Sequence, residues 1–129
     1  MKTSEAFAEN NGIRILAINL GTFGSTGSIV KSIGSLADRE GFEYAIAVPY
    51  EPEKPDESYY MIGNLLSRKI NPVMAIVTGM DGCFAKLQTQ KFIQRIDRFQ
   101  PDIIHLHNIH YSFLNYAMLF KHIKKKRFL

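Results

Sequence analysis

A single cysteine, Cys83, excludes both an internal disulfide framework and a CxxC metal or redox pair. No run approaches the roughly 18 to 20 uninterrupted apolar residues of a membrane span. The N-terminal MKTSEAFAENNG lacks the apolar stretch of a signal peptide, so a cytoplasmic protein is expected. Internal repeats and low-complexity tracts are also missing. Acids are absent from the last nine positions, which hold Lys121, Lys124, Lys125, Lys126 and Arg127. Removing those five from the 16 basic residues leaves 11 against 12 acids, so the net charge of +4 describes a basic end on a nearly neutral body. A nucleic-acid surface needs a basic face interleaved with stacking aromatics. Here only Phe128 accompanies the cations of the tail, and no nucleic acid partner is expected.

What is present suffices for one domain: 129 residues, 46% apolar and 22% charged, close to the soluble globular average. Residues 1–12 form a polar N-terminal segment ending in the turn signal Asn10-Asn11-Gly12, and the domain is expected over 13–129. The near-continuous apolar run 13–19 suits a strand of a parallel sheet covered on both faces. Ile29, Val30, Ile33, Leu36 and Ala37 then fall at helical spacing, with Ser25 or Thr26 as the cap and Gly41 as the stop. Strands are expected at 44–48, 59–62 and 102–107. Helices are expected over 84–99 and from about Ser112 onward. Segment 64–80 reads as a helix that Pro72 should break or kink. The order β-α-β-(β)-α-α-β-α predicts an α/β fold, a Rossmann-like parallel sheet with helices on both faces.

Ligands of such sheets bind beyond the carboxyl ends of the strands. Two unusual segments fall there. The first carries Gly21, Gly24 and Gly27 in a G-x-x-G-x-x-G spacing before the first helix. Glycines let backbone N–H groups approach a ligand, and a helix start favours an anion, a phosphate above all. This is neither the dinucleotide G-x-G-x-x-G nor a P-loop, and Glu51 is a loose match to a ribose-binding acid. A plain tight turn without a ligand reads the same residues equally well.

The second segment is His105-Leu106-His107-Asn108-Ile109-His110. Period two puts His105 and His107 on one side of the strand. His105, deeper in the strand, is expected to be a satisfied core histidine. The H-x-H pair also permits a metal site, but no acid or cysteine follows it. At the strand exit, His107, Asn108 and His110 favour a polar site for a sugar or phosphate. Among the other polar residues, Asp97 is expected on a solvated helix face and Asp102 at a loop-to-strand junction. Ser25 has no nucleophile-elbow context, and Cys83 is expected to be a packing residue.

The run Ile13-Arg14-Ile15-Leu16, then Gly24-Ser25-Thr26-Gly27, then Pro101-Asp102-Ile103-Ile104-His105-Leu106-His107-Asn108 resembles the N-terminal half of a family-4 glycosyltransferase. More narrowly it is similar to bacterial members that build capsular or exopolysaccharides, and the likeness covers about 13 to 124. The resemblance implies the GT-B architecture, two Rossmann-like domains facing a cleft. It implies sugar transfer from a nucleotide-diphosphate sugar to a glycan or lipid-linked acceptor, with retention of configuration and no obligatory metal or cofactor. His107 would be the catalytic residue. Gly24, Ser25, Thr26 and Gly27 would bind substrate, with backbone N–H groups of Gly24 and Gly27 toward donor phosphates or acceptor, and Asn108 and His110 would line the cleft. The sequence departs from many members in its GSTG loop, where a double glycine is common.

Under this likeness the chain is the acceptor-side half, with the donor-binding C-terminal domain and its glutamate pair expected outside it. The chain alone is then expected to be inactive. The basic end, beside Phe120, Ile123, Phe128 and Leu129, reads either as a solvated helix terminus or as a peripheral contact with the inner face of an anionic membrane. A stand-alone, non-catalytic nucleotide- or sugar-binding module is the alternative function. A metal-dependent hydrolase using His105, His107 and His110 is the third.

Overall fold

The computed structural model describes residues 12–110 and 112–126. Readings that fall on 1–11, and on Arg127, Phe128 and Leu129, lie outside the described residues. Element order is β1 (Arg14–Ile18), α1 (Gly24–Arg39), β2 (Glu43–Val48), β3 (Tyr59–Met61), α2 (Leu65–Thr78), α3 (Lys86–Phe99), β4 (Ile103–Leu106) and α4 (Tyr116–Lys126). The four strands form one all-parallel sheet in the order β3-β2-β1-β4, a Rossmann-like arrangement with helices on both faces. The chain reverses direction across the sheet between β1 and β4, which opens a crevice beyond their carboxyl ends.

Alternation within the strands divides the core into two layers. Leu16, Ile18, Ala45 and Ala47 pack with Phe92, Ile96, Phe99 and Leu119, so α3 and α4 cover one face. Ala17, Ile46 and Val48 pack with Val30 of α1 on the other. That second layer is the smaller, because α1 lies against β2 and leaves β4 bare on its side. Only Gly27, Val30 and Ala37 of α1 are buried, while Ile29 and Leu36 of the expected stripe are exposed.

Helix ends follow local chemistry. Past α1, Gly41 takes φ +77° and its N–H donates to Asp38 O at 3.0 Å, while the Phe42 N–H reaches Ala37 O at 2.9 Å, closing the last turn. The start of α1 differs from expectation. Neither Ser25 nor Thr26 caps it; Phe23 occupies the cap position in an extended conformation and no side chain makes a cap hydrogen bond there. Helix α2 also departs, running unbroken from Leu65 to Thr78 through Pro72. A proline removes only its own N–H bond, here to Arg68 O, and the Asn64–Ser67 capping box supports the turn before it. Helix α4 begins at Tyr116 rather than Ser112, because Asn115 Oδ1 accepts from the Met118 N–H at 3.1 Å and sets the cap there.

Candidate functional site

The crevice is assembled by the exits of β1 and β4. The His107 N–H donates to Ile18 O at 3.0 Å, carrying the β1–β4 ladder one step past the strand. Asn19, fully buried, then ties the neighbouring exits together. Its N–H donates to Ala47 O at 3.1 Å, its Nδ2 donates to Gly21 O at 2.7 Å, and its Oδ1 accepts from the Asn108 N–H at 3.1 Å. One side chain therefore fixes both the glycine loop and the histidine loop. The sequence offered a signal for it: a polar residue closing an apolar strand must have partners if it is buried.

The outer wall rests on a second polar cluster. The Tyr116 hydroxyl donates to Ile109 O at 2.8 Å and lies 3.4 Å from Asp81 Oδ2. Burial and then the Asp81 charge push its pKa up to about 12, so Tyr116 stays a neutral donor. Ser112 Oγ donates to Asp81 Oδ1. The Asn115 N–H donates to Thr89 Oγ1 at 2.8 Å and its Nδ2 donates to Cys83 O at 2.8 Å. These bonds clamp the loop before α3 to the start of α4, and a side chain on Gly82 would collide with the Tyr116 ring.

Between these supports lies an open hollow of about 560 Å³ lined by Thr26, His107, Asn108, Ile109, His110 and Tyr116. Four of the sequence-derived site residues (Thr26, His107, Asn108 and His110) thus share one crevice, and Ser25 and Gly24 sit beside it, exposed, in the first turn of α1. The N–H groups of Gly24, Ser25 and Thr26 have no acceptor within the helix. Gly24 takes φ +69° with open space where a side chain would project, which keeps that end uncovered. Gly27 serves packing instead. It is buried, a Cβ there would lie 2.3 Å from the Thr22 carbonyl carbon, and its N–H already donates to Phe23 O at 3.3 Å. Its N–H is thereby committed to the helix, against the expectation that it faces a ligand. Glu51 lies exposed in the loop after β2, outside the lining of the crevice.

Among the described residues four enclosed side-chain polar atoms lack partners, and two of them, His107 Nε2 and Asn108 Oδ1, belong to residues that line the crevice, the others being Tyr44 Oη and Arg68 Nε. Buried polar atoms are nearly always satisfied, so an orphaned pair at a crevice points to a ligand or to water. The His107 pKa is lowered from 6.5 by burial and then by the His105 ring, so its imidazole is held toward the neutral form. The ring as a whole is only partly buried, and it is Nε2 that is enclosed. His105 and His107 do share a side, their ring centroids 3.8 Å apart.

His105 is not a core residue. It pairs with Ala17 in register on the face that α1 leaves bare over β4, and it is exposed. Cys83 is likewise exposed, not packed in the core. Asp97 binds His122 at 2.9 Å and Lys126 at 3.3 Å across α3 and α4, and Asp102 accepts from the Arg14 N–H at 2.8 Å. Among the described residues no group of three or more His, Cys, Asp or Glu side chains is placed to hold a metal ion. Compared with family models, with characterised proteins and with solved structures, the chain matches none.

Proposed function

We propose that this chain is the acceptor-side half of a retaining glycosyltransferase, acting with a nucleotide-diphosphate sugar and a glycan or lipid-linked acceptor in surface polysaccharide synthesis. One observation carries the reading. Thr26, in the uncapped first turn of α1, lines one crevice with His107 and Asn108, whose enclosed Nε2 and Oδ1 have no partner, where the strand order reverses. An anion with sugar hydroxyls around it satisfies both sides at once: phosphate oxygens accept from the first turn of α1, and hydroxyls meet the imidazole and carboxamide.

The chemistry asked of these residues is positioning and charge stabilisation. The bond between the anomeric carbon and the phosphate oxygen breaks, and the acceptor oxygen bonds to that carbon. The acceptor proton passes to the departing diphosphate. Gly24, Ser25 and Thr26 N–H groups stabilise the charge on the leaving group. His107, neutral near pH 7, directs one ring N–H or lone pair at the sugar or phosphate, and Asn108 and His110 border the acceptor. The lipid-linked class of acceptor places this work at a membrane surface. The donor sugar's own recognition belongs to the second domain that the likeness implies.

Calorimetric titration of the chain with nucleotide-diphosphate sugars and with lipid-linked sugars tests the reading. Binding of either class, weakened at least about tenfold by His107→Ala with the fold intact, is the expected result, since losing one charge-assisted hydrogen bond removes that much. Binding of neither class, or equal binding by the variant, overturns it. In the reconstituted enzyme, His107→Ala should lower turnover strongly; unchanged turnover removes His107 from the mechanism.

A further inference from the structure

Helix α2 is mounted with its polar side inward. Ser67 is buried, and the Ser67–Arg68–Asn71 side meets Leu20, Pro49, Ile62 and Phe113. Those partners lie in the segments that follow β1, β2 and β3 and precede α4, so α2 lies across the carboxyl edge of the sheet. Its outward side is apolar over roughly half its circumference. Ile76 is 82% exposed and Val77 76%, and Leu65, Leu66 and Val73 are more than half exposed. A soluble helix buries such a stripe; a stripe this size facing outward marks a contact surface.

Charge selects the occupant. From Tyr59 to Met80 the sequence holds Arg68 and Lys69 and no acid. The N-cap of α2 borders a groove of about 370 Å³ that Lys91, Arg95 and Arg98 of α3 line, again without an acid, and Arg95 stacks 4.9 Å above the Tyr60 ring. A second copy packed through α2 would bring two Lys69 ammonium groups into one interface with no carboxylate on the helix to answer them. Lipid phosphates answer both the helix and the groove, and Lys69, inside the apolar arc, can extend its ammonium to the headgroups. Tyr50 and Phe23, 6.2 Å apart between ring centroids, extend the surface from Arg68 to the cap position of α1. At the other end of the helix, Ile76 and Gly79 border a hollow of about 450 Å³ that His110 also lines. The apolar face and the crevice therefore adjoin at the C-terminal end of α2, where His110 lines both hollows.

We infer that α2 seats the protein on an anionic lipid bilayer, its apolar face in the interfacial layer and the α3 groove against acidic headgroups, so that the crevice opens at the lipid surface. Among the described residues no helix is long and apolar enough to cross a membrane, and α2, about 21 Å long, lies on the surface instead. This goes beyond the transferase reading by naming the element that meets lipid, and it moves that role from the basic end of α4 to α2.

Co-sedimentation of the full chain with sugar-free vesicles tests it separately from any sugar binding. The vesicles are phosphatidylcholine alone, or phosphatidylcholine and phosphatidylglycerol in equal parts. The wild type should pellet with the mixed vesicles and much less with phosphatidylcholine alone. I76E/V77E should lose about tenfold in partitioning, as burial of apolar side chains drives interfacial binding. L65E/L66E should do the same from the other end of the helix, with circular dichroism confirming the fold of each variant. K91Q/R95Q should remove the preference for anionic vesicles, and K124S/K125S/K126S should retain most of the binding. Failure of the wild type to pellet overturns the inference, as do α2 variants that fold and still bind, or loss confined to the α4 variant. So does a dimer in lipid-free solution that I76E/V77E dissolves, which would assign the face to a second copy.

Discussion

Helices α1 and α2 both start at the carboxyl edge of the sheet, and they start in opposite ways. Helix α2 is closed: Asn64 Oδ1 accepts from the Ser67 N–H at 2.9 Å while Ser67 Oγ accepts from the Asn64 N–H at 2.9 Å. Helix α1 is open: Phe23 stands at its cap, no side chain makes a cap hydrogen bond, and Gly24 adds nothing that would cover it. Their bodies differ in the same complementary sense, since α1 keeps its apolar line Val30–Ala37 inward and α2 turns its apolar side out. Where a terminus is structural, the chain supplies its own acceptors. Where it is left bare beside orphaned polar atoms, the acceptors come from outside. In the proposed reading the start of α1 is therefore the ligand end, and the outer side of α2 is the contact face.

The largest expected effect breaks the support that both loops share. Asn19→Ala leaves the Asn108 N–H and Gly21 O without their partners, and should destabilise the protein by about 2–4 kcal/mol. Urea unfolding measures it; a change inside the error of the fit would mean that water replaces Asn19 at no cost. Next, Gly27→Ala drives a methyl group into the Thr22 backbone and should cost about 1–3 kcal/mol, since backbone must move to admit it. The equivalent change at Gly24 meets open space but a positive φ, so comparing the two substitutions separates crowding from backbone strain.

How much of this was legible in the sequence depends on whether a feature is local. The apolar runs around Leu16, Ile46 and Ile104 announce strands, because β-branched and aliphatic residues repeat where a parallel sheet buries both faces. The shared side of His105 and His107 follows from period two alone. The exposure of His105 does not, because it depends on α1 lying over β2 and leaving β4 bare. Periodicity likewise shows that residues 65–77 carry a stripe, yet gives no direction for it; tertiary placement across the sheet edge turned it outward. Asn19 reads as the end of a strand until its three partners, far apart in sequence, are assembled around it.

Smaller effects sharpen the contrast between the two helix starts. Ser67→Ala opens the capping box of α2 and should cost about 1 kcal/mol. Phe23→Ser, at a cap position already extended, gives α1 the acceptor it lacks. It should stabilise the fold by about 0.5–1 kcal/mol while weakening the binding of pyrophosphate, because the new hydroxyl occupies the same N–H groups. Gain of stability with undiminished binding would detach the open terminus from ligand capture.

The smallest effect is a pH slope. The pKa of His107 is lowered in the fold, so between that value and the ordinary 6.5 the unfolded chain binds more protons than the native one. Stability from this group is complete above 6.5 and declines as pH falls through the lowered value. His107→Gln should flatten that acidic limb in thermal unfolding measured across pH, and an unaltered limb would show that other groups produce it.

The crevice between the open start of α1 and the β4 exit is the proposed anion site. A ¹⁵N–¹H NMR titration of the chain with inorganic pyrophosphate tests this at single residues. Saturable shifts are expected of the Gly24, Ser25, Thr26 and Asn108 amides, together with the His107 ring, while the Gly27 amide moves little. Shifts confined to the Lys91–Arg98 groove, or none at saturating pyrophosphate, would contradict it.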